Sequence, residues 1–278
     1  MLLAGLAAIF ILFTILWVVS VRLENSSLVD VAWGPGILVV GLTYYFTSDG
    51  GTVRAHLTLA LLAMWAIRLA THLGIRTRLQ GEDFRYVKWR DEYSHWWFVS
   101  YFKVFLLQSV IGWIVSWPIY FAIVSLAPAS LTMVDYLGAL LVVSGLVVES
   151  VADEQLRRFR ADRVNRGKVL DTGLWRYTRH PNYFGEALLW WGFGLIGVAT
   201  GGVPGLIGPA ILTFLLIYVS GVALLESTLI EKPGYVQYVG RTPVFLPLPP
   251  AVRAQLMSKL RFLQKKELEP ERPRRHYY

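Results

Sequence analysis

The chain has 278 residues, of which 55% are hydrophobic and 17% are charged, and its mean hydropathy is +0.47. Soluble domains carry about 25% charged residues, so this composition excludes an ordinary soluble enzyme and indicates a helical membrane protein. Cysteine is absent, which excludes disulfides, thiolate metal sites and a catalytic thiol. The net charge of +8 lies in the loops and the tail, which favours membrane orientation and anionic ligands over nucleic acid.

The first apolar segments predict membrane spans close to the N-terminus. Residues 2–21 lack a basic leader and a small-residue cleavage site, so they predict an uncleaved first span. The second span, residues 28–46, contains Asp30 and a Trp-Gly-Pro-Gly sequence that could break the helix. Because an unpaired acid inside a membrane is costly, Asp30 is either an interfacial capping residue or a side chain that points into a cavity.

The third predicted span, residues 56–73, carries Arg68 well inside it. One interpretation is that the long side chain extends along the helix to the membrane interface. The other is that Arg68 faces a polar ligand pocket together with His72 and Arg76, which follow at one-turn intervals. The mixed-charge segment after this span is too polar to cross a membrane, and its aromatic end predicts an interfacial belt.

Four more spans are predicted: residues 102–126, 134–150, 182–199 and 206–225. The fifth span runs directly into a basic helical stretch, in which Asp153, Arg157 and Arg160 share one face. Lys and Arg concentrate after the odd-numbered spans, so the positive-inside rule places the N-terminus outside and the C-terminus in the cytoplasm. The sequence thus predicts an all-α polytopic protein with seven transmembrane helices, in which residues 1–250 form one domain and residues 251–278 a charged cytoplasmic tail.

Residues 170–190, LDTGLWRYTRHPNYFGEALLW, change from a basic loop into an apolar helix. Pro181 suits the first turn of that helix, and Asn182 and Glu186 share one of its faces. The helix N-terminus and the preceding arginines could hold an anion such as a phosphate. Alternatively, the arginines face lipid headgroups, and Asn182 and Glu186 pair with a neighbouring helix. The positive-inside rule brings residues 153–180 and 226–241 to the same membrane face, which predicts a cytoplasmic-facing site.

RHPNYFGE, preceded by GLWRYT and a basic helix, resembles the C-terminal half of the steroid 5α-reductase family. SLVDVAWG, Arg68 and GEDFRY resemble its bacterial branch, and the resemblance covers residues 27–247. A shorter form of the signature, RHPxYxGE with a later Glu and a Tyr-rich end, also occurs in isoprenylcysteine and phospholipid methyltransferases. The RHP stretch alone therefore does not distinguish a hydride donor from a methyl donor, and the N-terminal motifs favour the reductases.

The resemblance implies an NADPH-dependent enzyme that reduces the C=C bond of a lipophilic enone, such as a 3-oxo-Δ4 steroid, entering from the bilayer. It also implies a bacterial inner-membrane location with the cofactor at the cytoplasmic side. The alternative is an S-adenosylmethionine-dependent membrane methyltransferase. Membrane lipids are expected partners, whereas nucleic acid and an obligate protein partner are not. The implied cofactor-binding residues are Arg68, Asp153, Arg157, Arg160, Lys168, Tyr177, His180, Asn182, Tyr183, Glu186, Glu226 and Tyr235.

The family's Glu–Tyr pair is thought to polarise the enone carbonyl, and this chain departs from it. Trp65 stands at the tyrosine position, and the glutamate position falls near Ser27. Asp30 is the predicted substitute, and Glu186 and Tyr45 are the other catalytic candidates. No Gly-x-Gly-x-x-Gly follows a strand, so no Rossmann domain is expected. The five histidines show no HExxH-type spacing, so no metal is expected.

Overall fold

A computed structural model describes residues 1–49 and 51–253, and every regular element within these residues is helical. This confirms the predicted all-α class. The predicted charged tail lies almost wholly outside the described residues. The helices are α1 Leu2–Leu23, α2 Leu28–Thr47, α3 Val53–Gln80, α4 Phe84–Glu92, α5 Trp96–Val115, α6 Trp117–Val124, α7 Met133–Ala161, α8 Pro181–Val198, α9 Val203–Leu229 and α10 Tyr235–Arg241.

Six of these helices, α1, α2, α3, α5, α7 and α9, are long and apolar enough to cross a membrane. The chain therefore has the helices of a multi-pass membrane protein. The sixth predicted span corresponds to α8, which has 18 residues and is not one of the six. Its polar first turns and its glycines lower its hydropathy, and most of its side chains are buried by other helices. Seven spans and the orientation of the termini remain predictions.

Several helix boundaries differ from the predicted ones. The break predicted at Trp-Gly-Pro-Gly was wrong, because α2 continues through Pro35. A proline removes one backbone hydrogen bond, and here the surrounding helices keep the backbone helical. α3 extends to Gln80, so Arg76 still belongs to the helix that carries Arg68. The fifth span runs into the basic stretch as predicted, since α7 is continuous from Met133 to Ala161.

Two of the long helices contain π-helical segments. In α5 the segment is Tyr101–Leu106, and in α9 it is Leu215–Val219, after which the helix breaks at Ser220 and Gly221. A π-helical turn widens the backbone and is frequent at functional sites. Both segments contribute residues to the wall of the larger cavity described below.

Glycines bring the backbones of α7 and α8 into direct contact. A Cβ atom built on Gly145 would lie 2.5 Å from the carbonyl oxygen of Gly185, and one on Gly192 would lie 2.6 Å from that of Gly138. Such contacts leave no room for a side chain, so the two backbones touch as in small-residue interfaces of membrane helices. This contact places Glu149 of α7 beside Glu186 of α8.

A buried ion pair fixes the opposite end of the bundle, where α3 and α7 begin. Arg54 donates to both carboxylate oxygens of Asp135, at 2.7 and 3.0 Å, and also to the carbonyl oxygens of Pro128 and Ser130. Asp135 also completes a capping box with Thr132 at the start of α7. The pair therefore ties the loop between α6 and α7 to α3, far along the helices from Arg68.

Candidate functional site

Two cavities of the described residues carry the predicted site. The larger, which we call the first cavity, has a volume of about 600 Å³ and is lined by residues of α2, α3, α4, α5, α7, α8 and α9. Its floor is polar and its upper wall is apolar, with Leu107 and Ile111 of α5 facing Leu212 and Leu216 of α9. A cavity of this size, in which apolar walls meet a cluster of converging polar groups, is typical of small-molecule sites.

The polar floor is built around Arg68. Its guanidinium contacts the carboxylates of Glu149 and Asp153, and His72 Nε2 lies 3.5 Å from Asp153. Both acids are buried on α7, so each needs a cation that compensates its charge. Arg68 therefore faces the cavity, and of its two predicted orientations the one along the helix toward the interface is wrong.

Asn182 extends this floor and belongs to both cavities. Its Nδ2 donates to Asp153 Oδ1 at 3.1 Å, whereas its buried Oδ1 accepts no hydrogen bond within the described part of the chain. The buried Oε2 of Glu149 also lacks a donor among the described residues. A buried polar atom without a partner is costly, so Asn182 Oδ1 favours a ligand that carries N–H or O–H groups, whereas one proton shared with Glu186 would satisfy Glu149 Oε2.

Glu186 lies one turn further along α8 and is buried. It accepts hydrogen bonds from the indole nitrogens of Trp65 and Trp190, both at 3.1 Å. Its carboxyl group is also within hydrogen-bonding reach of Glu149. Two adjacent carboxyl groups repel unless a proton or a cation compensates them, and Arg68 supplies a cation on the Glu149 side.

The second cavity has a volume of about 310 Å³ and lies between the end of α7, the loop of residues 162–170 and α10. Its lining is rich in cationic and polar groups. Because arginine and lysine are the usual partners of phosphate oxygens, this composition favours a phosphorylated ligand. The basic residues that line the second cavity are Arg160, Arg163, Arg166, Lys168, Arg179, His180 and Lys232.

The RHP segment is held by Glu226 of α9. The Glu226 carboxylate accepts from Arg179 at 2.6 and 2.9 Å and forms a 3.0 Å hydrogen bond with His180 Nε2. Tyr235 donates to Glu226 at 3.4 Å, and burial together with this carboxylate raises the pKa of Tyr235 to about 12. Tyr235 therefore stays a neutral donor across the physiological pH range. These contacts confirm that residues 153–180 and 226–241 meet at one end of the bundle.

Asp30 lines the first cavity beside a partner that the sequence analysis did not name. The hydroxyl of Tyr86 donates to Asp30 Oδ1 at 2.8 Å, and Arg85 Nη2 lies 3.5 Å from Asp30 Oδ2. Tyr86 is buried on α4, and burial followed by the charge of Asp30 raises its pKa well above the usual value. The GEDFRY motif ends in Tyr86, so that motif was the signal that could have identified it.

Most of the predicted site residues come together. Asp30, Arg68, Asp153, Asn182, Tyr183 and Glu186 line the first cavity, and Arg160, Lys168, His180, Asn182 and Tyr235 line the second. Asp30 thus points into a cavity, the second of its two predicted roles. Glu226 lines neither cavity but positions Arg179 and His180.

Besides Glu226, three predicted residues line neither cavity. Tyr45 forms a 3.0 Å hydrogen bond with His56 instead. Arg157 points to the solvent side of α7, where it pairs with Glu154 at 2.6 Å. Tyr177 is 38% exposed. The structure therefore does not bring these three side chains together with the other predicted site residues.

Comparison with known proteins identifies a family and one distant relative. The family described as "Protein of unknown function (DUF1295)" matches residues 16–242. An uncharacterized protein of Schizosaccharomyces pombe, C594.04c, is 28% identical over 218 residues, which are 69% of this chain and 63% of that protein. The match thus spans less than two thirds of the relative's length. No solved structure matches the chain.

Proposed function

We propose that this chain, which belongs to the DUF1295 family, is an NADPH-dependent membrane reductase that adds hydride to the β-carbon of a lipophilic enone. The observation that carries the proposal is the meeting, at Asn182, of a basic cavity and a larger cavity that combines apolar walls with a cluster of charged groups. A dinucleotide with phosphates at one end and a nicotinamide at the other fits two such adjoining spaces. A 3-oxo-Δ4 steroid is one substrate of the required shape and polarity.

The residues present fit the dinucleotide chemically. The arginines and the lysine of the second cavity offer forked and single donors to phosphate groups. At the boundary, the unpartnered oxygen of Asn182 can accept from an N–H donor of a carboxamide. Bound NADPH supplies the hydride. We place this end of the bundle at the cytoplasmic face of the membrane, following the charge asymmetry of the loops.

The reaction also needs a hydrogen-bond donor for the carbonyl oxygen of the enone, and the pair of Tyr86 and Asp30 supplies it. Hydride addition to the β-carbon puts negative charge on the carbonyl oxygen, and a preorganised donor is needed to stabilise that enolate. In the proposed reaction Asp30 carries a proton and donates it to the Tyr86 oxygen, which frees the single Tyr86 hydrogen for the enolate. The contact with Asp30, at 2.8 Å, and the neighbouring Arg85 hold Tyr86 at the cavity wall. The apolar upper wall excludes water from the reacting carbons.

One observation favours the alternative, a membrane methyltransferase that uses S-adenosylmethionine. The indole N–H of Trp65, at the position where the reductase family has its tyrosine, is committed to Glu186 and cannot donate to an enone. Methyl transfer needs no such donor, and a cavity of about 310 Å³ could hold a single nucleoside. Tyr86 removes this difficulty for the reductase when Asp30 carries a proton, because the Tyr86 hydrogen is then free for the enone, which is why we prefer hydride transfer.

Cofactor binding distinguishes these functions directly. The wild-type protein in lipid nanodiscs would be titrated with NADPH and, separately, with S-adenosylmethionine, and the thermal shift given by each would be recorded. We expect saturable binding of NADPH and none of the methyl donor. The opposite result would replace the reductase with the methyltransferase. Binding of neither cofactor would indicate a non-catalytic lipid-binding or assembly protein.

A further inference from the structure

Lys103 lies within the candidate membrane span α5. None of the carboxylates that the structure describes neutralises its charge. It lies in the π-helical segment Tyr101–Leu106, and it lines the first cavity. Among residues 1–49 and 51–253, no carboxylate forms an ion pair with it. Lysine is rare inside membrane spans and marks functional sites when it occurs there. Its presence therefore calls for an explanation.

Two aromatic rings of the α4 region hold the Lys103 ammonium. Nζ lies 4.3 Å from the ring centre of Trp89 and 4.6 Å from that of Tyr93, and it donates to the Tyr93 hydroxyl at 3.0 Å. Cation–π contacts of this kind orient the ammonium without neutralising it. An ammonium group has three donors, so two remain for a ligand. A lysine that merely reached out to lipid headgroups would not line the cavity wall.

Apolar side chains extend from Lys103 along one wall of the first cavity. Leu107 and Ile111 follow it at four-residue spacing on the cavity face of α5, and the leucines of α9 lie across the space from them. Lys88 also lines this mouth, but it is exposed and pairs with Glu92 at 3.7 Å. Among the residues that the structure describes, Lys103 thus offers the cavity a positive charge without a carboxylate partner beside an extended hydrocarbon surface.

We propose that the first cavity binds an amphiphile with a hydrocarbon body and a single carboxylate end, and that Lys103 binds this carboxylate. One uncompensated ammonium matches a monoanion better than a doubly charged phosphate, because a second negative charge would remain unpaired. The binding site stands independently of the reaction. Only the further step, that this amphiphile is the substrate, rests on the proposed reductase function.

The test uses the full chain in nanodiscs of phosphatidylcholine, a lipid that carries no net charge. The probes are radiolabelled hexadecanoate, hexadecanol and hexadecyl phosphate. We expect wild type to bind hexadecanoate saturably and at least tenfold more tightly than either of the other two. Lys103→Met should lower hexadecanoate affinity about tenfold and leave hexadecanol unchanged, whereas Lys103→Arg should stay within threefold of wild type. The control Lys88→Met should change affinity less than twofold.

Equal affinity of wild type for hexadecanoate and hexadecanol would overturn the proposal, and this comparison needs no variant to fold. Preference for hexadecyl phosphate would also overturn it, by assigning the site to phosphorylated lipids. Unchanged hexadecanoate binding by a folded Lys103→Met variant would do the same. NADPH titration of the same samples separates the two proposals. If the protein binds NADPH but does not prefer hexadecanoate, only this inference is refuted. If it prefers hexadecanoate but does not bind NADPH, only the proposed reductase function is refuted.

Discussion

Replacing Arg68 by methionine tests whether one cation supports the whole polar floor of the first cavity. The change keeps most of the side-chain volume but leaves Glu149 and Asp153, whose side chains are 5% and 10% exposed, without their shared partner. Removing one partner of a buried ion pair costs about 3–5 kcal/mol of stability. We expect the lower end, about 3 kcal/mol, because the cavity admits water to the remaining acids. At about 2–4 °C per kcal/mol, the melting temperature should fall by roughly 6–12 °C.

Thermal unfolding in nanodiscs, followed by tryptophan fluorescence, measures this loss. Adding Glu149→Gln to Arg68→Met should recover part of it, because one of the two uncompensated charges disappears. If the two changes were energetically independent, their effects would add to within about 0.5 kcal/mol. Simple additivity would therefore refute the coupling.

Arg54→Met is the matched control for a general loss of stability. Arg54 and Asp135 form a pair that is even more buried, with side chains 2% and 0% exposed, at the end of the bundle away from both cavities. This variant should lose at least as much stability as Arg68→Met. Its NADPH affinity should stay within twofold of wild type, whereas that of Arg68→Met should fall at least tenfold. Equal loss of affinity in both variants would show that Arg68 acts only through folding.

Three further changes test the proposed reaction. Arg160→Ala should weaken NADPH much more than NADH in titrations, because an arginine of the second cavity suits the extra phosphate; equal losses would assign Arg160 to a shared phosphate or to folding. Tyr86→Phe should lower enone turnover about 100-fold while NADPH binding stays within twofold, because only the enolate donor is removed; unchanged turnover would remove Tyr86 from the reaction. Glu186→Gln should keep the fold but lower turnover and the melting-temperature increase given by NADPH; an undiminished increase would leave Glu186 a structural acceptor for the two indoles.

The sequence predicts those parts of this structure that depend on local patterns. Apolar runs predict the long helices, and the spacing of Asp153 and Arg160 correctly places both at the cavity end of α7. The same spacing wrongly placed Arg157 at the cavity. Helical spacing defines a face only broadly, and Arg157 forms an ion pair with Glu154 on the solvent side.

Contacts between distant segments could not be predicted in this way. Tyr86 and Asp30 are 56 residues apart and meet only because α4 folds back over the start of α2. The hydrogen bond from Trp65 to Glu186 joins residues that are 121 positions apart, and likewise no local sequence pattern indicates it. The apolar stretch of α8 predicted a span like the others. Whether its glycines face lipid or another backbone depends on the neighbouring helix, which periodicity does not specify.

The glycine contact between α7 and α8 has a consequence for biogenesis. A segment that carries Asn182 and Glu186 and lacks the hydropathy of the other long helices would partition poorly from the translocation machinery into lipid by itself. Docked on α7, it satisfies the amide nitrogen of Asn182 through Asp153 and exposes little polar surface. The two helices should therefore enter the bilayer as a preassembled hairpin. A bulky residue at Gly145 or Gly185 would prevent this contact. We therefore expect it to impair insertion of the two helices into the membrane, before the cavities form.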